Sequence, residues 1–283
     1  MDYTDAQRVE GIFFKERNPD SQPEDVEMVS VEGSSESVNA RYDMDRNKEN
    51  LALIINNESF DESTGFSNRQ GSDKDASAIK HTLESLHFKV INRKNLSVKD
   101  MKQIFKDIST MEHAEHNCFV CIILTHGEDG NQIYGTDGEV NLNELVQMFL
   151  PDRCPDLIGK PKLFFVQACR GRKEDSGAPM HDAGDVREKY QNVTSHKVPL
   201  GADMLLAYST VPGFYSYRRS TTGSWFIQSL AHILEKHGDR LELQQLMILV
   251  NRKVAYEYEH SCTKMKQVPC VANMLMKELY FYK

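Results

Sequence analysis

The sequence predicts an α/β protein built on a doubly wound, mostly parallel sheet with helices on both faces. Three observations predict it. Short continuous apolar runs recur, among them LALII, CFVCIIL and LFFV. Runs of that length without polar alternation suit strands buried on both faces. Between them lie stretches with apolar residues at helical spacing. Strand and helix alternate along the chain rather than cluster, which is the order of a parallel sheet with crossover helices.

The run over residues 51–60 reads as a strand ending at Asn56. Residues 63–72 are polar and glycine-punctuated, so a loop follows. Ala76, Ile79, Leu83 and Leu86 recur at helical spacing and predict a helix over 73–86, capped by Ser72 or Asp73. Residues 88–92 read as a strand, and 97–111 as a second amphipathic helix with Ser97 as N-cap. The next buried strand, 118–125, ends beside His126. A third helix is expected over 142–150, capped by Asn141, and then a strand over 162–168 that ends at Cys169. Residues 172–198 break the rhythm. They are polar, hold Gly177, Pro179 and Gly184, and show no period. A loop of that length within a compact domain is usually functional or a linker. The alternation then resumes, with a strand over 203–210, helices over 224–236 and 241–256, and strand-like ends over 268–273 and 279–282. Two α/β parts joined by an exposed tether are therefore expected to share one sheet, since either alone would leave an uncovered edge.

Composition narrows the class. At 283 residues and 40% hydrophobic content, the chain has room for one large domain or two small ones. No apolar run approaches the ~18 residues of a membrane span. The N-terminus lacks the basic flank and apolar centre of a signal peptide. A reducing, cytoplasmic setting is expected, with the six cysteines as free thiols. The net charge is −8, and residues 1–40 hold ten acids and three bases. This acidic head reads as disordered and is too short for an adaptor domain. No basic stripe appears, so nucleic-acid binding is not expected.

The strand over 162–168 runs into QACRG, with Cys169 at its centre, and His126 in THGEDG lies 43 residues upstream (169 − 126). This pair resembles the signature of the caspases, cysteine proteases that cut after aspartate. Six separated motifs in the family's order carry the resemblance over 42–283: STGFSNRQGSD, THGEDG, QACRG, AYSTVPGFYSYR, GSWFIQSL and KELYFYK. The resemblance implies a three-layer fold around a central six-stranded sheet. It also implies Cys169 as nucleophile and His126 as its base, with a backbone carbonyl near Ser67 orienting the imidazole. The chemistry fits those residue types. A thiolate attacks a carbonyl carbon, and an imidazole can take the thiol proton and return it to the leaving amine. The family pattern places the oxyanion against the backbone amides of Gly127 and Cys169. Gly127, without a Cβ, would let substrate come close. No metal or cofactor is expected.

An aspartate side chain entering a pocket needs fixed cations, and a guanidinium fork meets a carboxylate better than an ammonium does. The family pattern supplies Arg69, Gln167 and Arg218. It also makes Ser216, Tyr217 and Arg218 an edge strand that pairs with the substrate backbone. Tyr215, Tyr217 and Trp225 would wall the upstream pockets. Tyr217 stands where the family usually has Trp, and Arg219 where effector members often have Asn. Arg219 could favour Asp-x-x-Asp sequences, although the loop over 260–267 that helps close that pocket looks short. The tether offers Asp175, Asp182 and Asp185 as processing sites. Cleavage after Asp185 would divide a large part (41–185, with the linker from about 172) from a small part (186–283). The head, 1–40, would be a short prodomain removed at Asp25 or Asp20. The expectation is an effector-type zymogen acting in apoptosis on proteins with exposed Asp sites. Its expected partners are a second large-plus-small unit, an upstream initiator caspase and inhibitor-of-apoptosis proteins, but no nucleic acid and no membrane. The alternatives are an inactive homologue acting as a scaffold and a relative cutting after Arg or Lys. The first is disfavoured by the intact motif residues, the second by two arginines where acids would be needed. Cys118 and Cys121, three apart on a strand, would face opposite sides and so read as core cysteines. His113 and His116 are expected to be solvated.

Overall fold

The computed structural model describes residues 40–171, 173–176 and 201–283. Strand β1 (Glu49–Asn56) leads through a 3-10 turn (Glu62–Thr64) to helix α1 (Ser72–Ser85), strand β2 (Phe88–Lys94), helix α2 (Val98–Thr110) and strand β3 (His116–Leu124). Three short strands follow, β4 (Gly127–Glu128), β5 (Gln132–Tyr134) and β6 (Glu139–Asn141), then helix α3 (Leu142–Val146) and strand β7 (Lys162–Gln167). The last third holds β8 (Met204–Tyr208), the hairpin of β9 (Arg218–Arg219) and β10 (Gly223–Ser224), α4 (Trp225–His237), α5 (Leu243–Glu257) and β11 (Cys270–Met274).

The main sheet has six strands in the order β11-β8-β7-β3-β1-β2, with only β11 antiparallel to its neighbour. Strands β7 and β8, which lie on either side of the tether, pair directly from Lys162↔Met204 to Val166↔Tyr208. Both halves of the chain therefore build one sheet, as expected. Alternation along β3 explains the unbroken apolar runs. Cys118, Val120, Ile122 and Leu124 enter a core with residues of α1, α4 and α5. Phe119, Cys121 and Ile123 enter a second core with residues of α2 and α3. Cys118 and Cys121 thus lie in different layers, and burial pushes both thiols up. Among the described residues no helix is long and apolar enough to cross a membrane.

Local expectations met the structure unevenly. Ser97 caps α2 by accepting from the Asp100 amide, and Asn141 caps α3 by accepting from the Asn143 amide. However, α3 ends at Val146 and tightens into a 3-10 turn (Gln147–Phe149) instead of running to 150. Neither Ser72 nor Asp73 caps α1, whose N-cap is Gly71. Ser72 donates to Asn56 Oδ1, and Asp73 accepts from Asn56 Nδ2 and pairs with Lys94, so both are drawn to the ends of β1 and β2. Residues 279–282 form no strand. The Leu279 amide donates to Glu242 Oε1 and its carbonyl accepts from the Leu243 amide, while Leu279 and Phe281 fill the core. The N-terminal end of α5 takes the bonds a sheet would have used.

His113 and His116 are buried, contrary to the expectation that they are solvated. The carbonyl of Ile108, at the end of α2, accepts a 3.4 Å bond from the Met111 amide at the C-cap. His113 Nε2 donates to it at 2.7 Å, and His113 Nδ1 faces His116 Nδ1 at 3.1 Å. Burial is the main cause that lowers both imidazole pKa values.

Candidate active site

The register of two parallel strands assembles the site. Leu124 of β3 is paired with Gln167 of β7. His126 and Cys169 each lie two residues past that pair, so they reach the same rim, at the carboxyl ends of the strands where open α/β sheets bind ligands. A cleft of about 880 Å³ opens there. Its walls include Cys169, His126 and Gly127, together with Arg69, Gln167 and the run from Tyr215 to Arg218.

His126 Nε2 donates to Ser67 O at 2.9 Å, the contact the family resemblance implied. A carbonyl only accepts, so Nε2 carries the hydrogen and Nδ1 keeps the lone pair. Burial and then the nearby Arg69 and Arg218 charges lower the imidazole pKa to about 4, against the Ser67 bond, which raises it. The Cys169 thiol donates to the Ser216 carbonyl at 3.9 Å rather than to the imidazole. Burial raises its pKa, outweighing the Ser216 bond and the two arginines. In this arrangement both groups rest uncharged at neutral pH.

Gly127 is required by packing as well. A Cβ there would lie 2.6 Å from the Cys169 carbonyl oxygen and 2.9 Å from Ala168 Cβ, so β4 could not pack beside the end of β7. Gly171 is similar. Its φ of 141° lies in a region L side chains avoid, and a Cβ would sit 2.4 Å from Gly213.

Arg69, Gln167 and Arg218, the three residues expected to hold an aspartate, all line this cleft. Arg69 is buried, and its Nη1 donates to Asn57 O and Ser72 Oγ. Burial first, and the Arg218 charge second, lower its pKa to about 9. Arg218 donates to Gln70 O, and burial lowers its pKa too. Neither guanidinium has a carboxylate within ion-pair distance among the described residues. Buried Asp75 balances Arg69 at longer range, accepting from Ser224 N and Gln228 Nε2. Gln167 donates from Nε2 to Ser216 Oγ at 2.6 Å, and its Oε1 is buried without a partner among the described residues.

Two expectations need correction. Trp225 does not wall the open cleft, being 2% exposed beneath Tyr217, whose ring stacks on it at 4.7 Å with Tyr258 on the far side. The smaller Tyr217 lies flat on the indole, so the tyrosine forms the wall. Arg219 is exposed in β9 and lies outside the cleft lining, because the hairpin turns it away. Only Arg218 of the expected edge strand is in a strand, and it pairs with Ser224. Ser216 and Tyr217 border the cleft outside any strand, with the Tyr217 carbonyl accepting from the Trp225 amide at 3.3 Å.

Of the processing candidates, Asp175 is partly exposed, and its carbonyl accepts from the Lys266 amide at 2.8 Å. Asp182, Asp185, Asp20 and Asp25 lie outside the described residues. Sequence reasoning missed Gln267, which is buried, accepts from Tyr217 N and donates to Ser209 O, both at 2.7 Å. It also missed Phe60 and Phe66, which pack on His126. Phe66 stands inside the quoted motif STGFSNRQGSD, but its polar neighbours disguised it as loop filler.

The comparisons agree with this geometry. A sequence model described as the Caspase domain matches residues 49–280. Caspase-3 of Bos taurus is 42% identical over 250 residues, covering 87% of this chain and 89% of that protein. Caspase-7 of Gallus gallus is 43% identical over 248 residues, covering 85% and 80%. The crystal structure of Caspase-1 from Spodoptera frugiperda superposes with a TM-score of 0.80 at 32% identity, covering 90% of this chain and 98% of that one. With an α/β sheet that brings a cysteine and a histidine to one rim, and a family match over most of its length, this chain belongs to the caspase family of cysteine endopeptidases.

Proposed function

We propose that the chain cleaves peptide bonds after aspartate, with Cys169 as nucleophile and His126 as general base and acid. The observation that carries the specificity is the pair of guanidiniums at Arg69 and Arg218. Both face one cleft, each is disfavoured as a cation by burial, and no carboxylate meets them among the described residues. An anionic side chain between them relieves that cost, and a bidentate fork favours a short carboxylate held in one place. Gln167 stands beside them with an unpartnered oxygen. The backbone amides of Gly127 and Cys169 would receive the oxyanion. Ser216 to Arg218 would lie along the substrate backbone, and Tyr215 and Tyr217 would form the wall beyond.

The chain is made as a zymogen in this reading, most like effector members of the family, and it acts in apoptosis on cytoplasmic proteins with exposed Asp sites. Cleavage after Asp185 would separate 41–185 from 186–283, with 1–40 as prodomain. The neutral resting pair at Cys169 and His126 supports a poorly active uncut form. The edge position of β11 supports pairing with a second copy there. The chemistry needs no metal or cofactor. The test is a set of matched fluorogenic tetrapeptides ending in Asp, Glu or Arg, given to the cleaved chain beside Cys169→Ala. Turnover of the Asp peptide alone, lost in the variant, is expected. Equal turnover of Glu or Arg peptides would overturn the specificity, and none with any peptide would leave a scaffold.

A further inference from the structure

The His126 imidazole is held on more sides than the reaction itself explains. Its edge is fixed by Ser67 O. One face is covered by Phe66, with ring centroids 4.5 Å apart and planes only 15° from parallel. Phe60 approaches at 4.8 Å and 57°. Phe66 is itself braced edge-on by Tyr134 at 4.4 Å and by Phe60 at 6.2 Å. Adjacent residues, 66 and 67, therefore grip the face and the edge of one ring. They sit on a short loop between the 3-10 turn and α1, and the Phe66 amide donates to Thr64 Oγ1 at 3.3 Å.

We propose that Phe66 is a positioning residue, whose stacked ring holds the imidazole in the plane that presents Nδ1 to the cleft and keeps water from its face. This rests on the reading that His126 serves Cys169. The charged and titratable groups around His126 come from several elements. Arg69 from the loop before α1 and Arg218 from β9 oppose a positive imidazole. Cys169 follows β7, Tyr134 lies on β5, and Glu128 and Asp129 at β4 border the same cleft. Lys173 borders it across from them. Phe66 adds no charge to this set. It acts by excluding water, and lost hydration disfavours the charged form of an imidazole. Stacking also costs nothing in hydrogen bonding, so Nδ1 remains open for the thiol proton.

Phe66→Ala tests this in the full chain. Phe66 is half-buried on a loop, so truncation spares both cores. Opening the ring face to water should raise the imidazole pKa by about one unit, moving the acid limb of kcat/KM to higher pH. Loss of the stacked contact should lower the kcat plateau roughly two- to tenfold with little change in KM. Phe66→Tyr, which keeps the stack, should restore both. A residue that merely stabilised the fold would reduce the active fraction without moving the acid limb. NMR titration of His126, and the pH dependence of Cys169 alkylation by iodoacetamide, read the same shift without any Asp substrate. Failure of the specificity reading would therefore leave this test intact. An unmoved imidazole titration and an unchanged plateau in Phe66→Ala would overturn the proposal.

Discussion

At the scale of single residues, the cleft is lined by the side chains proposed to meet substrate and braced by others that hold those in place. Gln267 belongs to the second group. Its amide bridges the end of β8 at Ser209 and the backbone of Tyr217, joining the sheet to the segment beside the cleft. Gln267→Ala would leave a buried carbonyl and an amide without partners, at a cost of about 1–3 kcal/mol. The expected outcome is a lower urea midpoint and a KM raised severalfold, because Tyr217 and Ser216 lose their anchor. An unchanged KM in steady-state assays would show that this bridge does not shape the cleft. Residues of this kind were illegible in the sequence. Gln267 sits in an unremarkable polar stretch, and its role exists only because β8, β11 and the cleft segment meet. Cys169, His126, Arg69 and Arg218 were legible because the family motifs name them.

At the scale of elements, the apolar runs told where strands lie, and hydrogen-bonding side chains told where helices begin. That rule held where the capping side chain had no better partner, as at Ser97 and Asn141. It failed at α1, where Ser72 and Asp73 serve Asn56 and Lys94 across the strand ends. It failed also for 279–282, whose alternation matches a strand but whose backbone bonds go to the start of α5. Glu242 joins these two elements, with one oxygen on Gln244 N and the other on Leu279 N. Glu242→Ala removes the cap and the tie together and should cost about 1–2 kcal/mol. The final segment should then become accessible to limited proteolysis under conditions where the intact chain resists. Equal protection of both proteins would show that packing of Leu279 and Phe281 suffices.

At the scale of the whole molecule, several of the described histidines, His232 among them, are held in surroundings that resist protonation. His113, His116 and His126 all have pKa values lowered chiefly by burial from the usual 6.5. The unfolded chain binds these protons more readily, so folding stability is full above about 6.5 and falls as pH drops below it. For His126 the loss continues down to about 4. Thermal unfolding should therefore show a lower midpoint at pH 5 than at pH 7.5. His113→Asn, which removes one of the titrating rings, should flatten that dependence. A midpoint that does not fall on acidification would contradict the burial of these rings. The same burial explains why the sequence misled here, since polarity and a place near a helix end suggested solvation for His113 and His116. His113 turns inward instead, where its Nε2 adds a 2.7 Å bond to the Ile108 carbonyl.

By itself the sequence determined the layer order, the parallel sheet shared across the tether and the identity of the residues expected to do the chemistry. Apolar periodicity and motif order are local properties, and a buried strand must carry them whatever surrounds it. Tertiary structure alone decided how those residues stand. It set the thiol on Ser216, clasped the imidazole between Ser67 and Phe66, buried Trp225 under Tyr217 and turned Arg219 away. Those outcomes depend on which carbonyl lies nearest and how much water a neighbouring ring excludes, and neither is written in residue order.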